Sequence, residues 1–268
     1  MEFSLLTRRV LCILTSAGFA FLYLPLIVVG VLSFNTSRSF SWPPDGLTLS
    51  WWSKAASNGD VRSALFTSAK TALVASLIAL VLGSMAAFAV QRFTFFGRET
   101  ISFLVVLPIA LPGIVTGIAL NRAFHSLGVG IGFLTLVIAH ATFCIVVIYN
   151  NVIARLRRLS PNLEEASSDL GANTFQTFRY VTFPMLRSAL LAGGLLAFAL
   201  SFDEIVVTTF TSGPGIQTLP QWIFNNMFRP NNLPLVNVVA TTVVLLSIIP
   251  VWVAQRLSVG TSPVGNRS

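Results

Sequence analysis

Residues Ser160 to Pro184 read SPNLEEASSDLGANTFQTFRYVTFP and form the longest polar interruption in the second half of a very apolar chain. Ser160 is a good N-cap, and Pro161 stands at the first helical position, where a missing N–H leaves no bond unmade, so a helix begins here. Glu164 and Glu165 fall in its first turns, beside the positive end of the helix dipole. Leu163, Ala166 and Leu170 recur at i, i+3 and i+7 and predict a short amphipathic face. Gly171 follows where a left-handed C-terminal residue is wanted. A second helical segment, Thr174 to Val181, is bounded by Pro184 and puts Phe175, Phe178 and Val181 on one side. Two short helices hinged at Gly171-Ala172-Asn173 make a compact knob between apolar runs.

The 268 residues are 54% hydrophobic and 10% charged, with mean hydropathy +0.79, a balance that belongs to integral membrane proteins. A pI near 10.7 would point to nucleic acid in a soluble protein. Here the basic residues sit at the ends of apolar runs, where their use is topological. Six runs, about 10–34, 64–90, 101–124, 131–153, 185–210 and 235–253, are each near or above the ~20 residues that cross a ~30 Å hydrocarbon core. Thr7-Arg8-Arg9 ahead of the first run also suits a signal peptide or a twin-arginine signal, but the run is too long for either and no cleavage site follows. With the N-terminus inside, eleven of the 17 Lys and Arg fall on the side of the knob and six on the other. The knob and both termini are therefore expected in the cytoplasm. No internal repeat or linker is evident. The reading is one transmembrane domain, 1–268, with a cytoplasmic loop over 155–184.

Cys12 and Cys144 lie inside apolar stretches and read as packing residues rather than a disulfide. No cluster of metal-ligating residues appears, and no Gly-x-x-x-x-Gly-Lys-Ser/Thr phosphate loop. In the third run, Pro108, Pro112 and the small residues Gly113 to Gly117 suit either a broken helix lining a path or a kinked packing helix. His140, in the middle of the fourth run, is a functional candidate by position. A hydrogen-bonded packing role is favoured, since no second titratable residue stands beside it.

The fifth run carries Asp203 and Glu204, roughly 22 Å along a helix from Ser188 at ~1.5 Å per residue. Carboxylates at that depth are costly, so they call for a cavity, a cationic partner or a raised pKa. Lys70 and Arg122 are candidates for a structural ion pair. A cationic substrate is the other reading, with Phe202, Phe210, Trp222 and Phe224 as aromatic neighbours. Adjacent helical residues point about 100° apart, and Asp203 rather than Glu204 continues the small-residue side through Ala192 and Ala199.

The knob resembles the cytoplasmic EAA loop of the permease subunits of bacterial binding-protein-dependent ABC importers. That family's pattern is Glu-Ala-Ala, three residues, Gly, nine residues, Ile-x-Leu-Pro. Here it reads Glu165-Ala166-Ser167, then Gly171, then Val181-Thr182-Phe183-Pro184, with the spacing kept and three conservative departures. Ser201-Phe-Asp-Glu-Ile-Val-Val-Thr-Thr-Phe-Thr-Ser-Gly-Pro-Gly215, Leu219-Pro220, Leu24-Pro25 with Ser33-Phe34-Asn35, and Ala139-His140-Ala-Thr-Phe-Cys144 are similar to the spermidine/putrescine members. Related subunits serve other small amines, amino-acid derivatives and opines. The resemblance implies an all-α membrane protein with six transmembrane helices, the type I ABC importer (MetI-like) permease fold and a cytoplasmic coupling helix. It implies ATPase coupling through Glu165, Ala166, Ser167, Asp169, Leu170, Gly171 and Ala172, by an apolar helix face seated in a groove. It implies a bacterial inner membrane location, a second permease subunit, two ATPase subunits and an external substrate-binding protein. No cofactor is expected on this chain; ATP and Mg belong to the ATPase. Two readings of another class are a proton-coupled secondary transporter using Asp203, Glu204 or His140, and a receptor or scaffold without transport.

Overall fold

The computed structural model describes residues 4–160, 162–229 and 231–259, so Pro161, read above as the first helical position of the knob, lies outside the described residues. In chain order the elements are α1 (Leu5–Leu32), α2 (Ser50–Ser57), α3 (Gly59–Arg92), α4 (Arg98–Ala110), α5 (Gly113–Ser126) and α6 (Phe133–Leu156). After them come α7 (Asn162–Asp169), α8 (Thr174–Thr177), a π turn (Phe178–Thr182), α9 (Phe183–Asp203), α10 (Val206–Thr211), α11 (Leu219–Met227) and α12 (Leu233–Val259). Among the described residues the β pairing is an isolated antiparallel bridge, Asn35 to Leu47.

Among the described residues four helices are long and apolar enough to cross a membrane: Leu5–Leu32, Gly59–Arg92, Phe133–Leu156 and Thr174–Asp203. α4 and α5 meet at 111°, where the sequence suggested one span over 101–124. Pro112 caps α5 and holds Leu111 in extended backbone, ψ 144°, the conformation a following proline imposes. The run 185–210 also differs. Its helix begins upstream at Thr174, ends at Asp203 where Glu204 turns extended (ψ 121°), and resumes as the six-residue α10. The run 235–253 falls within α12, of which Leu233–Ile248 is a shorter apolar stretch.

By its internal contacts the chain falls into two compact units, one holding the residues up to Arg62 with Trp222–Ile248, the other built on Ser63–Gln221. In the first, the buried Asn35 organises the segment after α1. Its Oδ1 accepts from the Ser37 and Asp45 N–H groups, and its Nδ2 donates to Ser41 Oγ. The Trp52 ring stacks on Phe34 at 5.3 Å, and Lys54 Nζ stands 4.3 Å over Trp51.

In the second unit α6 is the central helix, apolar on nearly every side and buried along most of its length, with Leu134 and Ile138 left exposed. Leu136, Val146, Ile148, Tyr149 and Val152 are buried, and α3, α4 and α9 pack around them. Gly83 lets α3 approach: a Cβ there would stand 2.9 Å from the Ile145 carbonyl oxygen. Ser102 Oγ and Tyr149 Oη, 2.7 Å apart, tie α4 to α6. Between α8 and α9 the Phe183 N–H reaches back five residues to the Phe178 carbonyl. Pro184 has no N–H and its ring would press on the carbonyl four residues back, so the wider turn relieves a clash an α-helix would carry here.

Candidate functional site

Two groups of candidate residues lie at opposite ends of the helix Thr174–Asp203, whose 30 residues span about 45 Å. At the first end α7 closes in a left-handed C-terminal turn. Gly171 has φ +83°, its N–H bonds the Ser168 carbonyl, and the Ala172 N–H bonds the Ser167 carbonyl. Asn173 then opens α8 by a reciprocal cap, accepting from the Gln176 N–H at 2.9 Å while Gln176 Oε1 accepts from its own N–H at 2.8 Å.

The loop is held by its polar side. Glu164 Oε1 pairs with Arg92 at the end of α3 at 2.6 Å and accepts from Thr182 Oγ1 at 2.8 Å. The Ser167 and Thr177 hydroxyls meet at 3.0 Å, and Phe178 packs edge-on to Phe88 of α3. Glu165, Ala166, Asp169, Leu170 and Gly171 are exposed, Ser167 and Ala172 half-buried. Leu170 is 88% exposed, and Leu163 and Phe175 are also outside, so the apolar face expected of α7 is turned away from the chain.

At the other end, Asp203 is exposed, and among the described residues its carboxylate has no hydrogen bond or ion pair. The candidate counter-ions are elsewhere: Lys70 Nζ lies 4.5 Å over the Phe133 ring, and Arg122 is exposed. Glu204 is used locally, its Oε1 accepting from the Val207 N–H at 2.8 Å as a cap on α10. Phe202 is half-buried and stacks on Phe198 at 6.1 Å. Phe210 lies against Gly117 of α5, where a Cβ would stand 2.7 Å from its ring. Trp222 is buried and belongs to the other compact unit, as does Phe224.

His140 is fully buried, with Nδ1 2.7 Å from Ser201 Oγ and Nε2 2.9 Å from Thr208 Oγ1. Asn121 Nδ2 donates to the Phe210 carbonyl at 2.7 Å, and Thr135 Oγ1 stands between two carbonyls, Gly132 at 2.8 Å and Thr211 at 2.9 Å, with one hydrogen shared between them. These satisfy carbonyls that the end of a short helix leaves without partners. Ser201, Thr208, Asn121, Thr135 and Arg92 were not singled out in the sequence. Each is an ordinary polar residue whose partner lies far along the chain.

Residues 79–261 match the family model described as "Binding-protein-dependent transport system inner membrane component". The putrescine transport system permease protein PotI of Escherichia coli K12 is 36% identical over 234 residues, 84% of this chain and 82% of its own. The spermidine/putrescine transport system permease protein PotC of the same strain is 34% identical over 244 residues, 91% of each chain. Among solved structures, one chain of a bacterial ABC transporter involved in import of the acidic polysaccharide alginate superposes with TM-score 0.71 at 16% identity. That match covers 97% of this chain and 99% of the other. At that identity the superposition speaks for the fold, the MetI-like permease fold of ABC transporters. The chain belongs to the binding-protein-dependent transport system inner membrane components, the non-catalytic permease subunits of ABC importers that work with an ATPase and a substrate-binding protein.

Proposed function

We propose that the chain forms half of the translocation path for a small cationic solute, a polyamine such as putrescine or spermidine. The observation that carries the cation is Asp203, an exposed carboxylate without a partner at the end of a long apolar helix. Glu204 is committed to capping α10, which leaves Asp203 as the group that meets an ammonium in transit. The identities to two polyamine permeases over most of the chain support the substrate class. A second permease subunit completes the path, two ATPases sit beneath the pair, and an external binding protein delivers the solute. Glu165 through Ala172 engage the ATPase, with Leu163 and Leu170 supplying the apolar face for its groove. ATP binding draws the two loops together and turns the cavity outward.

Asp203→Asn keeps the side-chain volume and removes the charge, so uptake of labelled putrescine by the assembled complex should slow at equal membrane abundance. Normal amine uptake in Asp203→Asn and Glu204→Gln, singly and together, overturns the cationic path. Uptake that survives ATP depletion and collapses with a protonophore overturns the importer mechanism. Orientation, with both termini and the loop in the cytoplasm, is tested with single cysteines at Asn58 and Asn173 in a background lacking Cys12 and Cys144. An impermeant thiol reagent on intact cells should label position 58 and spare 173.

A further inference from the structure

The break between α9 and α10 has no glycine or proline to explain it: residues 201–211 read SFDEIVVTTFT. Glu204 caps α10 from within the segment, and a side chain from outside it holds both sides of the break. The hydrogen atoms identify the holder. Thr208 Oγ1 lies 2.8 Å from the Glu204 carbonyl oxygen, which can only accept, so the single hydroxyl hydrogen goes there. Toward His140 Nε2, at 2.9 Å, Thr208 is therefore an acceptor, and Nε2 carries the ring proton. In the neutral ring Nδ1 is then bare and accepts from Ser201 Oγ–H at 2.7 Å. One neutral imidazole on α6 thus grips the last turn of α9 and the first turn of α10, on the two sides of the break.

A six-residue helix does not stand alone. α10 keeps its place because Glu204 caps its start, His140 holds its first turn, and Asn121 and Thr135 take its terminal carbonyls. Asp203 lies between Ser201 and the break, so its direction is set by the residues on either side.

We propose that His140 is a positioning residue: by clamping Ser201 and Thr208 across the break it fixes the direction of the Asp203 carboxylate for a passing ammonium group. This rests on the reading of Asp203 as part of the substrate path. The ring itself is enclosed and touches no solute.

The test uses the assembled complex in proteoliposomes with its binding protein and labelled putrescine. Thr208→Val removes the acceptor for Nε2–H on an otherwise similar side chain, and Thr208→Ser returns it. His140→Leu removes the clamp, and His140→Gln supplies an acceptor and a donor about as far apart as the two ring nitrogens. Thr208→Val and His140→Leu should each lower initial uptake about fivefold or more at equal membrane abundance, with recovery in Thr208→Ser and His140→Gln. Should His140→Leu fail to accumulate, the Thr208 pair decides. In an Asp203→Asn background Thr208→Val should cause no further loss, because its effect runs through that carboxylate. Losses that multiply with Asp203→Asn overturn the proposal. So does uptake within about twofold of wild type in Thr208→Val while Asp203→Asn is impaired, an outcome that leaves the substrate-path reading standing. Wild-type uptake in Asp203→Asn removes that reading, and the proposal with it.

Discussion

The two ends of the helix Thr174–Asp203 use polarity in opposite ways. At the loop, one acid faces the chain, Glu164 meeting Arg92 and Thr182, while Leu163, Leu170 and Phe175 face outward with Glu165 and Asp169. At the break, polar groups are turned inward and bonded to one another, His140 with Ser201 and Thr208, Asn121 and Thr135 with carbonyls, and the Asp203 carboxylate is left outside. Two glycines show the same contrast. Gly171 has open space around it and is needed for its backbone, at φ +83°. Gly213 is needed for its size: a Cβ there would stand 2.5 Å from the Ile131 carbonyl oxygen. At the exposed turn there is room for bulk but not for a change of backbone direction; beside α10 there is no room for bulk.

The largest effect should come from turning the loop. Gly171→Val forces a β-branched residue into left-handed backbone, a strain of about 1–2 kcal/mol or more that falls on a short helix end. Coupled uptake should drop on the order of tenfold at equal membrane abundance, while Gly171→Asn, which tolerates that backbone, keeps most of it. Equal uptake in the two variants would break the comparison at its loop end. Gly213→Ala should lower the stability of the detergent-solubilised subunit by about 1–3 kcal/mol, seen as an earlier thermal transition, since backbone rather than a movable side chain is in the way. An unchanged transition would mean that the packing beside α10 is loose.

Smaller losses sharpen the break end. Asn121→Leu leaves the Phe210 carbonyl of α10 unpaired, Thr135→Val removes the hydroxyl shared by the Gly132 and Thr211 carbonyls, and each should lower stability by about 0.5–1.7 kcal/mol, the range for hydrogen bonds between membrane helices. Arg92→Gln should matter least, roughly 1 kcal/mol or below, because the pair with Glu164 is partly open to solvent. Adding Glu164→Gln should then change little more, as a double-mutant cycle on unfolding would show; additive losses would mean that the two side chains act apart.

How far the sequence could be read follows the reach of each interaction. The turn at Gly171 depends on residues within one helix end, and the spacing of Leu163, Ala166 and Leu170 reveals an apolar face. The spacing does not reveal where that face points. Its outward direction depends on Arg92 of α3, 72 residues from Glu164. Pro108 and Pro112 mark the third apolar run as irregular, but the 111° turn needs Leu111 extended between two helices. The interruption after Asp203 left no local mark at all, since Ser201 and Thr208 answer to a histidine 61 and 68 residues away. The helical pattern of Val206 to Thr211 reads as a continuation of the run before it.

The π turn at Phe178–Thr182 gives the distance between Gly171 and Pro184 a rotational meaning. A π turn carries one residue more than an α turn, so it offsets the loop from the long helix by about 100°, the angle one residue subtends. The outward bearing of Leu163 and Leu170 is in that sense also a phase, set by the residue count between Gly171 and Pro184 together with the hold of Arg92 on Glu164. Lengthening or shortening the stretch by one residue would swing the exposed surface around the helix axis before it moved that surface appreciably along it.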